Sequence, residues 1–280
     1  MNRRRFLKMT AITLLGCSRL SWTWAKGFGP ETNHRVGIPD TSLKDYLHKM
    51  RNFDQPHTDD IYIRPEDCLP LESVVLRFKR IIKTIGYGNF SLLSFDEAIG
   101  CARQYHGVGC FSDNELDFLE RMFYTDGSVY GFLDNKPMKN LTDRLNQQQI
   151  VKIPYSGNYL YQGPPFETYQ KIKASIGENV ILTSGLRSII KQFYLFLSKV
   201  HSHNGNLSLA SRSLAPPGYS FHGVGDFDVG QSNYGAFNFT AKFTDTGVYK
   251  KLTDLGYAGF RYPDGNHLGV RFEPWHIKVN

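Results

Sequence analysis

Residues 216–230 read PPGYSFHGVGDFDVG. Two prolines, four glycines, one histidine and two aspartates share fifteen positions. A chain gathers so many turn formers and titratable groups either on a solvated loop or where chemistry is done. The glycines let the backbone fold tightly enough for His222 and an aspartate to converge. Asp226 and Asp228 are two apart, so on a strand both face the same way and either could be that aspartate. The stretch therefore reads either as a solvated loop or as a glycine-softened turn that brings His222 to an aspartate.

The next candidates lie on either side. Downstream, FEPWH carries Glu273 three residues before His276, and Pro274 excludes a central strand, so a bend at this point can turn both side chains inward. Two histidines and one carboxylate form a common catalytic zinc set with a coordination position left for water. A nearby glutamate suits a general base. Upstream, TSGLRS places Arg187 where a strand gives way to a helix. Arginine stays charged and offers a rigid donor fork, which suits the charge that develops on a scissile oxygen. His201 and His203, two apart at a helix end, do not share a face, and His267 follows the Asp264-Gly265-Asn266 turn.

SGLRSIIKQ (184–192), PGYSFHGVG (217–225) and EPWH (273–276), in that order, resemble the motifs of the VanY-type D-alanyl-D-alanine carboxypeptidases. These are zinc peptidases of the superfamily that includes the hedgehog signalling domain, and the resemblance covers roughly residues 150–280. It implies a Zn2+ cofactor held by His222 and His276, attack by zinc-bound water with Glu273 as general base, and oxyanion stabilisation by Arg187. It also implies substrate contacts from Ser220 and Gln192, with peptidoglycan stem peptides as substrate. One departure concerns the third ligand. The family's aspartate follows its histidine by seven residues, whereas Asp226 follows His222 by four and Asp228 by six. Asp228, followed by the apolar Val229 that enters the sheet, is the expected ligand, and Asp226 the expected supporting residue. Two other readings stand beside the carboxypeptidase. One is a non-catalytic zinc-containing module that binds cell wall or protein; the other is a D,D-endopeptidase of the same fold.

Periodicity gives the frame. Apolar residues at helical spacing in 71–85, capping boxes at Ser94–Glu97 and Ser112–Glu115, and a short helix in TSLKDYLHKM predict a helical N-terminal region. Beyond it come a helix at 167–175, a strand in NVILT (179–183), and helices in 186–200 and 246–256. YAGFRY (257–262) and LGVRFE (268–273), joined by the PDGNH turn, predict a β-hairpin, with 277–279 as a last extended piece. The expected fold class is α+β. A helical region over 26–145 precedes a hedgehog/D-Ala-D-Ala metallopeptidase-like domain over 146–280, with a small antiparallel sheet flanked by helices.

The formal net charge of the 280-residue chain is +7. Residues 1–25 hold Arg3, Arg4, Arg5, Lys8 and Arg19 and no acid, which leaves +2 for the rest. That balance, with no basic stripe among stacking aromatics, argues against a nucleic-acid partner. The arginines precede Phe6-Leu7-Lys8 and a short apolar run from Met9 to Leu15, too short to span a bilayer. This resembles a twin-arginine signal peptide over 1–25 with cleavage after Ala25. The expectation is a periplasmic protein with no stable membrane insertion after cleavage. Lipid anchoring at Cys17 is the lesser alternative, because Leu15 is bulky for a lipoprotein box. Cys68, Cys101 and Cys110 remain, enough for one disulfide at most and without metal-binding spacing; buried, inert thiols are expected.

Overall fold

Helix starts in the first half are written in the capping residues. The computed structural model describes residues 40–256 and 259–279, so the expected signal peptide over 1–25 and Cys17 lie outside the described residues. Helices α1 (Asp40–Arg51), α2 (Cys68–Ile85), α3 (Tyr87–Leu92), α4 (Phe95–Gln104) and α5 (Asp113–Tyr124) come first. Ser94 and Ser112 each close a full capping box, with Glu97 and Glu115 reaching back to the cap backbone, which is worth about 1 kcal/mol per cap. Gly86, at φ 84°, ends α2 in a conformation that favours glycine and lets α3 start at once. On α2, Leu71, Val74, Val75, Phe78 and Ile81 are buried. Arg77 from the same helix forms a buried ion pair with Glu115 of α5, Nη2 to Oε2 at 2.9 Å. Its Nη1 also donates to the carbonyls of Val108 and Gly109. Removing one partner of such a pair costs roughly 3–5 kcal/mol, because a charge is left buried alone.

The second half adds β1 (Ile150–Lys152) and β2 (Tyr159–Tyr161), an antiparallel pair, then α6 (Pro164–Ile176) and β3 (Val180–Ser184). It continues with α7 (Ile189–Ser202), α8 (Leu207–Ser211), β4 (Phe227–Gln231), α9 (Gly247–Asp254) and β5 (His276–Ile277). The sheet that matters has the order β3-β4-β5, antiparallel throughout. Its register places Asp228 opposite both Ser184 and His276. Phe227 and Val229, on the other face of β4, are fully buried against Tyr169 and Ile172 of α6 and Leu252 of α9. Strand alternation thus turns Asp228 away from that core.

The α+β class is as expected: helices with small antiparallel sheets. Two details differ. One hydrophobic core joins Val74, Phe78 and Phe118 of the first half to Ile190, Phe193 and Phe196 of α7, and Pro39–Asn280 forms one compact unit. The boundary expected at 145/146 is therefore not a seam in the packing. Among the described residues the predicted hairpin over 257–273 does not form either. Phe260 bridges Ile277, Leu268 O accepts from Leu133 N, and Arg271 N donates to Arg212 O. Gly269, at φ 76°, lies so close to Gly131 that a Cβ would sit 1.8 Å from its carbonyl oxygen. That approach draws the segment onto the helical half and away from its sequence neighbour. All three cysteines described are free; Cys101 is buried as expected, but Cys68 and Cys110 are exposed. Among the described residues no helix is long and apolar enough to cross a membrane.

Candidate metal centre and its cleft

The loop from β3 to α7 is the scaffold of the site. A Cβ on Gly185 would sit 2.1 Å from the Tyr159 carbonyl oxygen, so only glycine fits between the loop and β2. Gly185 O accepts a hydrogen bond from His222 Nδ1 at 2.8 Å. Because a carbonyl can only accept, this bond puts the proton on Nδ1 and leaves the Nε2 lone pair free to bind a metal. Arg187 N donates to His222 O, a second stitch between the loop and the turn. The turn itself closes on Phe221 O, which accepts from the backbone N–H of both Gly225 and Asp226. Gly225 adopts φ 127°, which favours glycine.

His222, Asp228 and His276 converge from that turn, from β4 and from β5. They are all buried, and one ligand atom from each lies within 4.8 Å of the others. His222 Nε2 is 3.2 Å from Asp228 Oδ1, yet neither atom has a hydrogen-bond partner among the described residues. His276 Nδ1 is 3.5 Å from the same carboxylate oxygen. Two imidazole nitrogens and a carboxylate oxygen facing one point, two of them buried without hydrogen bonds, fit a zinc ion.

The neighbouring residues fix these three. Asp226, fully buried, lies 3.1 Å from His276 Nε2 and also accepts from Arg261 Nε and from Val279 N. With Nε2–H given to Asp226, the His276 lone pair is on Nδ1, facing Asp228. Asp228 Oδ2 accepts from Arg187 Nη2 at 2.6 Å, and Arg187 Nε donates to Ser184 Oγ at 3.0 Å. Burial works against the Asp228 carboxylate, but His222 and Arg187 hold it well below the usual range. Asp226 is buried too, and its bonds to His276 and Arg261 bring it down to about 2. Burial, reinforced by Arg187, pushes the His222 imidazole down. His276 goes the other way: burial opposes its charge, but the bonds to Asp226 and Glu273 carry it up to about 9.

A cleft of about 260 Å³ opens beside the cluster. His222, Asp228, His276, Glu273, Arg187 and Ser220 all line it, and Glu273 Oε2 lies 3.6 Å from His276 Nδ1. Gln192, expected to touch substrate, does not line it. Its Nε2 donates to Arg187 O at 3.0 Å and its Oε1 accepts from Gly218 N at 2.8 Å. It braces the arginine loop and the Pro-Gly turn from behind. The cleft also contains residues to which the sequence reading gave no role: Tyr87 from α3, Lys191 from α7, Ser213 and Arg271. Lys191 lies inside the SGLRSIIKQ motif itself, four residues past Arg187 and in the first turn of α7. Tyr87 lies some hundred residues upstream of that motif, where no local signal marks it.

Residues 164–279 match the family model described as VanY, D-alanyl-D-alanine carboxypeptidase. The likeness to the VanY family is confined to this segment. The family is one of enzymes, and the His222, Asp228 and His276 cluster lies within the VanY segment. No curated protein matches the chain. Among solved structures, the chain is similar to LdcB, an LD-carboxypeptidase whose structure concerns peptidoglycan recognition. The identity is 24%, over 46% of this chain and 62% of that one, with a TM-score of 0.39. It is also similar to the vancomycin-resistance D,D-dipeptidase VanXYg in complex with a D-Ala-D-Ala phosphinate analogue. There the identity is 20%, over 54% of this chain and 62% of that one, with a TM-score of 0.43. A third is a D,D-pentapeptidase VanY from a VanB-type resistance cassette, in complex with Zn(II). It shares 22% identity over 54% of this chain and 88% of that one, with a TM-score of 0.39. The match thus spans under two thirds of the LdcB and VanXYg chains.

Proposed function

We propose that this chain is a zinc-dependent D,D-carboxypeptidase that removes the terminal D-alanine from peptidoglycan stem peptides. The observation that carries the reading is the convergence of His222 Nε2, Asp228 Oδ1 and His276 Nδ1 beside Glu273 in the cleft of a VanY-like segment. Those three atoms would hold zinc, which when bound supplies Lewis acidity at the carbonyl oxygen and makes a water acidic near neutral pH.

The chain's own residues do the rest. Glu273 takes the proton of the attacking water and passes it to the leaving amine, so one carboxylate serves both halves of the reaction. Arg187 places its guanidinium at the cleft wall, where negative charge grows on the carbonyl oxygen. Its bond to Asp228 Oδ2 also holds that carboxylate with Oδ1 turned to the histidines. Ser220, buried at the cleft wall, offers a hydroxyl to the peptide backbone.

The test is incubation of the zinc-loaded protein with muropeptides, read by mass spectrometry for loss of one D-alanine. Zinc binding with no cleavage across stem peptides would replace the enzyme with a binding module, and cleavage of cross-linked dimers in preference to free pentapeptide would make it an endopeptidase. The proposed site of action is the periplasm, reached through the arginine pair. Lysine at positions 3 and 4 keeps the charge and removes the feature the export receptor reads, so the double variant is expected to stay in the cytoplasm. Normal delivery of that variant would end the twin-arginine reading.

A further inference from the structure

Lys191 sits in the first turn of α7, where Ser188 Oγ accepts from its backbone N–H at 3.3 Å. The residue is only 4% exposed and lines the cleft. Its Nζ makes no hydrogen bond with any described residue. What it meets is ring faces: Tyr87 at 3.3 Å from the centroid, Phe90 at 5.9 Å and Tyr194 at 6.0 Å. Aromatic faces attract an ammonium but cannot accept its three donors, so its hydrogen-bonding capacity is unmet. Burial and the neighbouring Arg187 charge together push it down to about 7. A buried ammonium beside another cation, with no carboxylate bonded to it, is a site that lacks an anion.

We propose that Lys191, roofed by Tyr87, binds the free α-carboxylate of the substrate's last residue and so makes the cleft selective for chain ends. This rests on the carboxypeptidase reading above and adds the residue that recognises the end. The spacing suits it. The terminal carboxylate follows the scissile carbonyl by one residue, about 3.8 Å between α-carbons. Lys191 follows Arg187 by four residues across the start of α7, and its ammonium is near enough to feel the Arg187 charge. With the carbonyl oxygen at Arg187, the carboxylate falls in the neighbourhood of Lys191. The proposal also gives the helical first half a task, because Tyr87 and Phe90 of α3 form the roof over the ammonium.

The experiment uses the full zinc-loaded chain and two peptides, a stem pentapeptide ending in D-alanyl-D-alanine and its C-terminal amide. Wild type is expected to cleave the acid with a KM roughly 30-fold or more below that of the amide, the scale of a desolvated charge pair. Lys191→Met should bring the two KM values together by raising that of the acid, with the amide unchanged and kcat little moved. Equal KM values in wild type, or discrimination that survives in Lys191→Met, would overturn the proposal. If wild type cleaves neither peptide, the proposed function has failed, and calorimetry with D-alanyl-D-alanine and its amide then decides this inference separately. Tighter binding of the acid by wild type, lost in Lys191→Met, supports it, and equal affinities sink it.

Discussion

On the sheet wall of the cleft, Asp228 faces His222, His276 and Arg187, and Asp226 holds His276, Arg261 and the Val279 amide. On the helical wall, the Lys191 ammonium meets the faces of Tyr87, Phe90 and Tyr194 and no acceptor among the described residues. Both walls bury charge, but only the first compensates it within the protein. A compensated cluster with two orphan donor atoms is arranged around a cation; an uncompensated ammonium is arranged around an anion. The contrast separates a wall that assembles chemistry from a wall that recognises what the chemistry acts on, and each prediction below strains one side of it.

The largest effect is expected at Glu273. Glu273→Gln keeps shape and leaves His222, Asp228 and His276 in place, so zinc content should hold while turnover falls roughly a hundred- to ten-thousand-fold. His276→Ala should lose most of the zinc as well as activity. Metal analysis and kinetics on the same preparations separate the two, and a Glu273→Gln enzyme with most of its activity would refute the assigned base.

Next come the aspartates, which the structure places on opposite nitrogens of one imidazole. Asp228→Asn removes a donor atom and should abolish stoichiometric zinc. Asp226→Asn removes the partner of His276 Nε2 and should weaken zinc by roughly 10- to 100-fold while keeping the site. The reverse order in zinc titrations would exchange their roles, and full zinc in both would mean that the site is built otherwise.

The pH dependence of zinc binding sharpens the same wall. In the metal-free protein His276 titrates at about 9, above its ordinary value, because its bonds to Asp226 and Glu273 outweigh burial. The raised value means that charged His276 stabilises the metal-free fold at pH below the ordinary histidine range, and that this contribution is lost as pH rises through about 9. Zinc must displace that proton, so its affinity should rise close to tenfold per pH unit up to about 9. Chelator competition at several pH values reads the slope, and a flat profile between pH 7 and 9 would contradict the charged His276.

What the sequence made legible was whatever chemistry is written locally. The capping boxes, the apolar face of α2, and the three motifs with His222, Glu273 and His276 could all be read because each signal spans a few residues. The place of Asp228 on a strand is legible too, since Val229 marks the strand that carries the acid into the sheet beside His276. The rest depended on contacts far apart in the chain. The hairpin over 257–273 has the right turn and the right residues, but among the described residues Gly269 packs on Gly131 and Phe260 bridges Ile277 instead. Gln192 looks like a substrate contact in the motif, but Gly218, twenty-six residues on, takes its carbonyl oxygen. The part the helical region plays at the cleft is not legible at all, since the packing of Tyr87 over Lys191 joins residues whose proximity no periodicity encodes.

The smallest expected effect strains the helical wall. A lysine moved from 10.5 to about 7 by burial is protonated in the unfolded chain but largely neutral in the folded one between those values. The unfolded state therefore binds more protons there, so stability should rise with pH from about 7 to 10.5, and near neutrality the fold bears the cost of the buried charge. Lys191→Met keeps the packed stem between Tyr87, Phe90 and Tyr194 and removes the ammonium. It should raise the melting temperature of the metal-free protein by a few degrees at pH 7, on the order of 1–2 kcal/mol, and flatten its rise with pH. The gain should shrink at pH 10, where the wild-type lysine is already neutral. If the variant is instead less stable at pH 7, the ring faces compensate the ammonium fully, both walls balance their charge internally, and the contrast between them disappears. If it is more stable and yet binds acid peptides less tightly than wild type, the lysine is kept at the expense of stability for the ligand it holds.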